Sequence, residues 1–357
     1  MLDSLFKDLL VIDLSTVLAG PSVATFFAEL GAKVIKIENE KIPDVTRSWK
    51  LPSEDETSNI SAYFSSINFK KTYQKANLKA EEDYQKVLDL IQQADILISN
   101  FKKGDDVKFR LEDERLQALN PRLIIGKING FGTESDRVAY DLILQAESGF
   151  MSMNGTKESG PVKMPVALID VLAAHHLKEA LLLSLINRTK TNTGNVVSVS
   201  LYEAAVCSLV NQASNYLMGN QVPKRIGSLH PNIAPYGEIF KTKDGLEITF
   251  AIGSEQHFQK LCDVLELFDL PQNELFSSNQ KRVINRELLF PLLQEKIGLL
   301  TAEEIHQEML RLYVPCGIIR SIDKVFEDEK AQKLIREEEI NGLATKRLTS
   351  IAFEWKS

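Results

Sequence analysis

The sequence predicts an α/β protein: a doubly wound parallel sheet, followed by a smaller α+β region. Three observations predict it. From Leu9 to Leu201, short apolar runs rich in β-branched residues alternate with stretches of helical period. The runs ending near residues 13, 98 and 128 each empty into a loop of small or amide residues. After Gly219 the alternation stops, and Pro223, Pro231 and Pro235 precede a hairpin pattern and short helices.

The first unit is the clearest. Leu9-Leu10-Val11-Ile12 reads as a buried strand. A loop from Ser15 leads into a helix with Pro21 in its first turn, where a missing N–H is harmless. Val23, Phe26, Phe27 and Leu30 recur at helical spacing, and Gly31 falls where a left-handed C-cap belongs. Val34, Ile35 and Ile37 then form a second strand ending at Glu38, so the unit is a right-handed βαβ. Such sheets bind ligands at the loop leaving the first strand. That loop, S-T-V-L-A-G-P, carries one glycine, which disfavours a dinucleotide site of the G-x-G-x-x-G kind.

Residues 41–60 are polar and read as an exposed excursion, with Trp49 as a packing anchor. Lys70 and Lys71 stand side by side in a short stretch after Ile67. A helix over 80–93, a strand from Ala94 into Asn100-Phe101, a helix over 112–119 and a strand over 123–128 continue the alternation. YDLILQAESG reads as a helix closed by Gly149, and a long helix is expected over 171–187. Val196 to Leu201 is a strand, and one helix runs from Tyr202 to about Met218. Beyond it, Tyr236 to Ile252 is a hairpin turning at Lys243-Asp244-Gly245. Helices near 254–266, 287–299 and 302–312 and a strand over 316–319 complete the smaller region. The expected division is 1–218 and 219–329, with residues 330–357 returning to the first domain.

Composition narrows the function. Apolar and charged fractions of 44% and 25% are those of a globular chain, and a net charge of -7 argues against a nucleic-acid or anionic-membrane surface. Cys207, Cys262 and Cys316 form neither a disulfide framework nor a metal spacing, and are read as buried thiols in a reducing compartment. The N-terminus is too charged for a signal peptide and no run reaches the roughly 20 apolar residues of a membrane span, so a cytoplasmic protein is expected.

Asp170 is the residue to single out. It ends the run Val166-Ala167-Leu168-Ile169 and opens a helix, where an N-cap and a catalytic carboxylate are both open readings. Ala173 and Ala174 leave that face bare, for a ligand or for a close-packed helix. His175 and His176 lack an i+4 ligand and read as ordinary helix histidines. No G-x-S-x-G, P-loop or H-E-x-x-H occurs. The residues alone therefore give a ligand-binding α/β protein with cations near its strand ends: Lys70/Lys71, Lys102 to Lys108, and Arg137.

Several stretches in series resemble the class III CoA-transferase family (CaiB/BaiF type). They are VIDLSTVLAGPSVATFFAELGAKVIKIE, ADILISNFKKG, INGFG, YDLILQAESGFMSMNG, PVKMPVALID, HPNIAPYGEIFKTKDG and VPCGIIRSIDKVFEDEKAQ, and they cover nearly the whole chain. The resemblance implies a Rossmann-like large domain, a small domain, and a homodimer of two chains threaded as interlocked rings. It implies that Asp170 is the nucleophile, that coenzyme A enters as an acyl-CoA with a small carboxylate as acceptor, and that no metal is needed. It implies covalent catalysis through an aspartyl anhydride and an aspartyl-CoA thioester. By position it assigns Leu18, Ala19, Asn100, Phe101 and Lys108 to CoA, with Lys71 and Arg137 as further phosphate contacts.

The chain departs from the formyl-CoA transferases of that family. Leu18 stands where they carry glutamine and Asn39 where they carry arginine, the loop at Gly227-Ser228-Leu229-His230 has little glycine, and the C-terminal segment is short. The related α-methylacyl-CoA racemases use a histidine where this chain has Tyr140. The alternatives to a transferase are such a racemase and a CoA-binding protein without catalysis.

Overall fold

The computed structural model describes residues 2–356. Contacts divide the chain into two compact units: residues up to Met153, Val162–Pro223 and the chain from Lys333 onward form one, and Asn154–Pro161 with Lys224–Gln332 the other.

The first unit opens β1 (Leu10–Asp13), α1 (Ala19–Glu29), β2 (Lys33–Glu38), α2 (Ala62–Ile67) and β3 (Lys71–Lys75). It continues α3 (Glu81–Gln93), β4 (Ile96–Ser99), α4 (Asp105–Lys108), α5 (Asp113–Leu119) and β5 (Ile124–Asn129). Then come α6 (Asp141–Glu147), α7 (Phe150–Met153), α8 (Leu168–Thr191), β6 (Val196–Ser200), α9 (Leu201–Cys207) and α10 (Val210–Gly219). All six strands run parallel, in the order β3-β2-β1-β4-β5-β6. The direction of winding reverses between β1 and β4, which opens a crevice at their carboxyl ends.

The sheet is apolar on both faces because both are covered. On one side Val11, Val34, Ile96 and Ile124 pack with Phe27 of α1, Leu177 and Leu181 of α8, and Ala205 of α9. On the other, Ile12, Ile35, Leu97 and Ile125 pack with Val87 and Ile91 of α3 and Leu116 of α5. Gly31, just after the Leu30 C-cap of α1, has a φ of +97°, and a Cβ there would lie 2.3 Å from the Asp3 carbonyl, so the position accepts only glycine.

The second unit holds a sheet of β7 (Tyr236–Lys241), β8 (Glu247–Ala251) and β9 (Cys316–Ile318), all antiparallel. Its helices are α11 (Glu255–Val264), α12 (Asn279–Ile284), α13 (Arg286–Ile297), α14 (Ala302–Arg311), α15 (Ile322–Val325) and α16 (Glu329–Gln332). Phe240, Phe250, Phe258, Leu293 and Ile305 form its core. The chain then re-enters the first unit as a hairpin, β10 (Ile335–Ile340) and β11 (Leu343–Leu348). Arg347 and Ser350 donate hydrogen bonds to the buried Glu29 of α1.

Several expectations are corrected. β3 and α2 were not foreseen, because β3 (KTYQK) is a polar edge strand and carries little of the apolar signal of a central one. The excursion over 41–60 turns inward at Asp44 and Thr46, which are buried. The helix expected from Tyr202 to Met218 is two, α9 and α10, divided where Ser208 Oγ donates to the Ala204 carbonyl one turn back. The thiols are free, but only Cys262 is buried and Cys207 is exposed. Among the described residues no helix is long and apolar enough to cross a membrane.

Candidate active site

A cavity of about 750 Å³ lies at the carboxyl ends of β1, β4 and β5, within the first unit. Three loops wall it: residues 16–19 after β1, residues 100–104 after β4, and Gly132 to Tyr140 after β5. Asp170 reaches it from the first turn of α8. Leu97, Leu111, Leu116 and Ile125 supply apolar wall, and Lys102, Lys103 and Arg137 supply cations. Lys127 and the acids Asp106, Asp113, Glu134 and Asp136 line it too, so the wall is apolar at its base and mixed in charge elsewhere.

Local sequence explains the first loop. A Cβ on Gly20 would lie 2.3 Å from both Cβ and Oγ of Ser15, so α1 can close on the loop only with glycine. Asn100 clamps the same loop: its Oδ1 accepts from Thr16 N–H at 3.0 Å and its Nδ2 donates to the Thr16 carbonyl at 2.9 Å. Below the loop, Asp13 accepts from Ser15 N–H and Oγ and from Lys71 Nζ. Burial would raise the Asp13 carboxyl, but Lys36 and Lys71 outweigh it and hold it below the usual carboxylate range.

Asp170 is not an N-cap. The helix starts earlier, Ala167 is its cap residue, and no side chain of its own caps it. Asp141 of α6 supplies the missing acceptor, taking the Ile169 N–H at 2.8 Å. Asp170 is thereby left in the first turn, 8% exposed, with no hydrogen bond or ion pair to its carboxylate among the described residues. A helix N-terminus favours the ionised form. Burial wins nonetheless and, with the Asp141 charge behind it, pushes Asp170 up to about 7.

This shift has a testable sign. An ionised Asp170 costs the fold free energy that is absent below the unfolded pKa near 3.8 and complete above about 7. Asp170→Asn removes that cost. Its thermal midpoint should exceed the parent's at about pH 8 and converge on it at about pH 4, read by scanning calorimetry. A lower midpoint at both pH values would contradict the assigned burial cost.

The structure brings Asp170, Leu18, Ala19, Asn100, Phe101 and Arg137 around one cavity. It does not bring Lys71 or Lys108 there. Lys71 Nζ is buried against Asp13 at 2.9 Å, Asn68 Oδ1 and the Pro21 carbonyl, and burial pushes it down to about 8. Lys108 pairs with Asp105 at 3.0 Å on the exposed side of α4. Adjacent cations take the wall positions instead: Lys103, paired with Glu134 at 3.3 Å, and Lys102, which makes no ion pair among the described residues. Arg137 stacks 3.8 Å over Phe131 and pairs with Glu147.

Sequence reasoning missed Asp141 and Tyr63. Trp49 meets Tyr63 edge-on at 5.1 Å and lies 6.4 Å from Tyr140, which lines the cavity. Burial, then the charges of Asp170, Asp141 and Asp44, push the Tyr63 phenol up to about 12, leaving it a neutral O–H donor. No signal in the residue pattern marked Tyr63, which lies beyond the polar stretch, in α2. Ala173 and Ala174 are buried among core residues, so their bare face serves packing, and His175 and His176 are exposed. Among the described residues no cluster of His, Cys, Asp and Glu could hold a metal ion.

The model of CoA-transferase family III matches residues 6–349. This chain is 35% identical over 334 residues to the succinate–glutarate CoA-transferase of Agrobacterium fabrum, covering 90% of this chain and 82% of that protein. It is 32% identical to the human succinyl-CoA:glutarate CoA-transferase, over 88% of this chain and 72% of that protein. Among solved structures it is similar to a CaiB/BaiF family protein from Brucella suis, with a TM-score of 0.82 and 34% identity, covering 97% of this chain and 91% of that one.

Proposed function

The chain belongs to CoA-transferase family III, and on that premise we propose that it exchanges coenzyme A between an acyl-CoA and a free carboxylate through covalent intermediates on Asp170. The observation that carries this reading is a buried carboxylate, without a partner among the described residues, beside a strand-end cavity with cations on its wall. The substrates are small dicarboxylates, by analogy with the relatives that act on succinate and glutarate.

The Asp170 carboxylate attacks the thioester carbonyl; the C–S bond breaks and CoA leaves as thiolate, giving an acyl-aspartyl anhydride. The thiolate then attacks Cγ of Asp170, releasing the donor carboxylate and leaving an aspartyl-CoA thioester. An acceptor carboxylate expels the thiolate from Cγ. The thiolate attacks the acceptor's acyl carbon, forms the new acyl-CoA and frees Asp170. No proton is taken up or lost over the cycle. Lys102, Lys103 and Arg137 are the cations for CoA phosphates, and Leu18 and Ala19 face the thioester end.

Only the ionised Asp170 starts this sequence, so transfer falls on the acid side of about pH 7. Asp141→Asn keeps an acceptor for Ile169 N–H and removes the neighbouring charge. The acid limb of kcat/KM should then move to lower pH, with burial still holding it above the usual carboxylate range, and a limb that stays or moves up would count against the Asp141 charge as a contributor. Transfer itself is read by mixing succinyl-CoA with glutarate and following glutaryl-CoA. No exchange with any dicarboxylate pair would refute the substrate class.

The same reading takes the protein as an interlocked homodimer. Exposed Val210, Leu217 and Met218 on α10 support a face that a second copy covers.

A further inference from the structure

Val17 sits at the centre of the first cavity loop with a φ of +73°. For a β-branched residue this is a strained conformation, which persists only where the surroundings impose it. Its neighbours Leu18 and Ala19 line the cavity directly. Something must therefore hold the turn.

The holding group is Asp44, from the short 3-10 turn that follows β2. Val17 N–H points at both Asp44 carboxylate oxygens, 3.3 Å from each. The carboxylate is itself fixed: Thr46 N–H and Oγ1 donate to Oδ1 at 3.1 and 2.8 Å, and Lys36 Nζ lies 3.2 Å from Oδ2. Lys36 also donates to the Ser15 carbonyl at 2.7 Å, so it joins Asp44 to the start of the same loop. Both side chains have 0% exposure. From behind, Glu38 accepts the Asp44 N–H at 2.9 Å and the Arg47 Nε at 2.9 Å.

Burying ions in this way is not an economical way to stabilise a fold, because desolvation offsets the attraction. Two apolar residues in place of Lys36 and Asp44 would fill the space without that cost. They could not accept the Val17 N–H or donate to the Ser15 carbonyl. The charged pair fits a different purpose, the shape of the loop.

We propose that Asp44 is a positioning residue for the transfer reaction: it holds Val17 in the left-handed region and so aims Leu18 and Ala19 at the reacting end of the cavity. The proposal rests on the reading of this cavity as the transfer site. Unlike Val17, Asp44 does not line the cavity; it acts through the backbone of Val17.

The test is a double-mutant cycle of Asp44→Asn with Val17→Gly, because glycine takes a positive φ without strain. Each variant is scored for kcat of succinyl-CoA:glutarate exchange, for CoA affinity by calorimetry and for thermal midpoint. Asp44→Asn should lower kcat at least tenfold in the parent and less than threefold in the Val17→Gly background. The thermal midpoint should drop in both, since the pair with Lys36 is weakened either way. Equal losses of kcat and of CoA affinity in the two backgrounds, following the loss of folded protein, would overturn the proposal and make Asp44 a purely structural group. If the parent exchanges no CoA, the assigned reaction fails on its own. The cycle is then scored on CoA affinity, where a loss confined to the Val17 background supports the loop assignment and equal losses refute it.

Discussion

Asp170→Asn lowers kcat for CoA exchange by about 10³-fold or more while CoA still binds within about threefold of the parent affinity. The size follows from the role. On the proposed mechanism the substitution removes the covalent route itself, whereas a lost hydrogen bond would only weaken it. Asparagine matches the carboxylate in shape, and in this fold it loses no ion pair or hydrogen bond, since none reaches Asp170 among the described residues. The cavity walls, set by the loops after β1, β4 and β5, stay as they are. Asp170→Glu separates position from chemistry. It keeps the carboxylate but moves it by one methylene, and a displacement of that order costs about 10²-fold. Stopped assays at saturating donor give kcat, and calorimetry with CoA gives the affinity. An Asp170→Asn enzyme within tenfold of the parent would remove Asp170 from the reaction.

Asp13→Ala destabilises the protein by about 3–5 kcal/mol, the cost of stripping one partner from a buried ion network. Asp13 has no exposure, and it faces Lys71 at 2.9 Å and Lys36 at 3.8 Å, both also shut away from water. Without it Lys71 keeps only neutral acceptors, Asn68 Oδ1 and the Pro21 and Ile67 carbonyls. Ser15 loses its acceptor as well, which loosens the start of the cavity loop. Urea unfolding at constant slope measures the change. Asp13→Ala combined with Lys71→Met should recover part of the loss, because the stranded charge is gone. A loss below about 1 kcal/mol would mean that water or movement solvates Lys71 when Asp13 is removed.

Where the sequence was legible, the reason is local. β1, α1 and β2 announce themselves because a buried parallel strand is continuously apolar and a covering helix repeats its apolar residues every turn. The hairpin at Lys243-Asp244-Gly245 is equally local, with Gly245 at a φ of +79°. β3 was illegible because an edge strand can be polar on both faces. Lys71 and Lys108 show the limit for charges. A lysine near a strand end reads the same whether it faces a phosphate or an aspartate, and here Asp13 lies 58 residues from Lys71 in sequence. Asp170 shows the same limit at finer scale. An aspartate at the head of a helix reads as a cap, yet the cap is delivered by Asp141, 28 residues upstream of the Ile169 N–H it accepts. That exchange of duties leaves Asp170 without a partner among the described residues. Asp44 and Tyr63 are further examples, since each matters only through what the fold sets beside it. The family resemblance supplied a role for Asp170 that residue pattern alone left undecided.

The most direct measurement is to trap the intermediate. The purified protein is incubated with succinyl-CoA, quenched with hydroxylamine, digested and mapped by mass spectrometry. The account predicts a hydroxamate on Asp170, formed only with donor present and missing from Asp170→Asn. Exchange activity with an unmodified Asp170, or with the hydroxamate on another carboxylate, would contradict it.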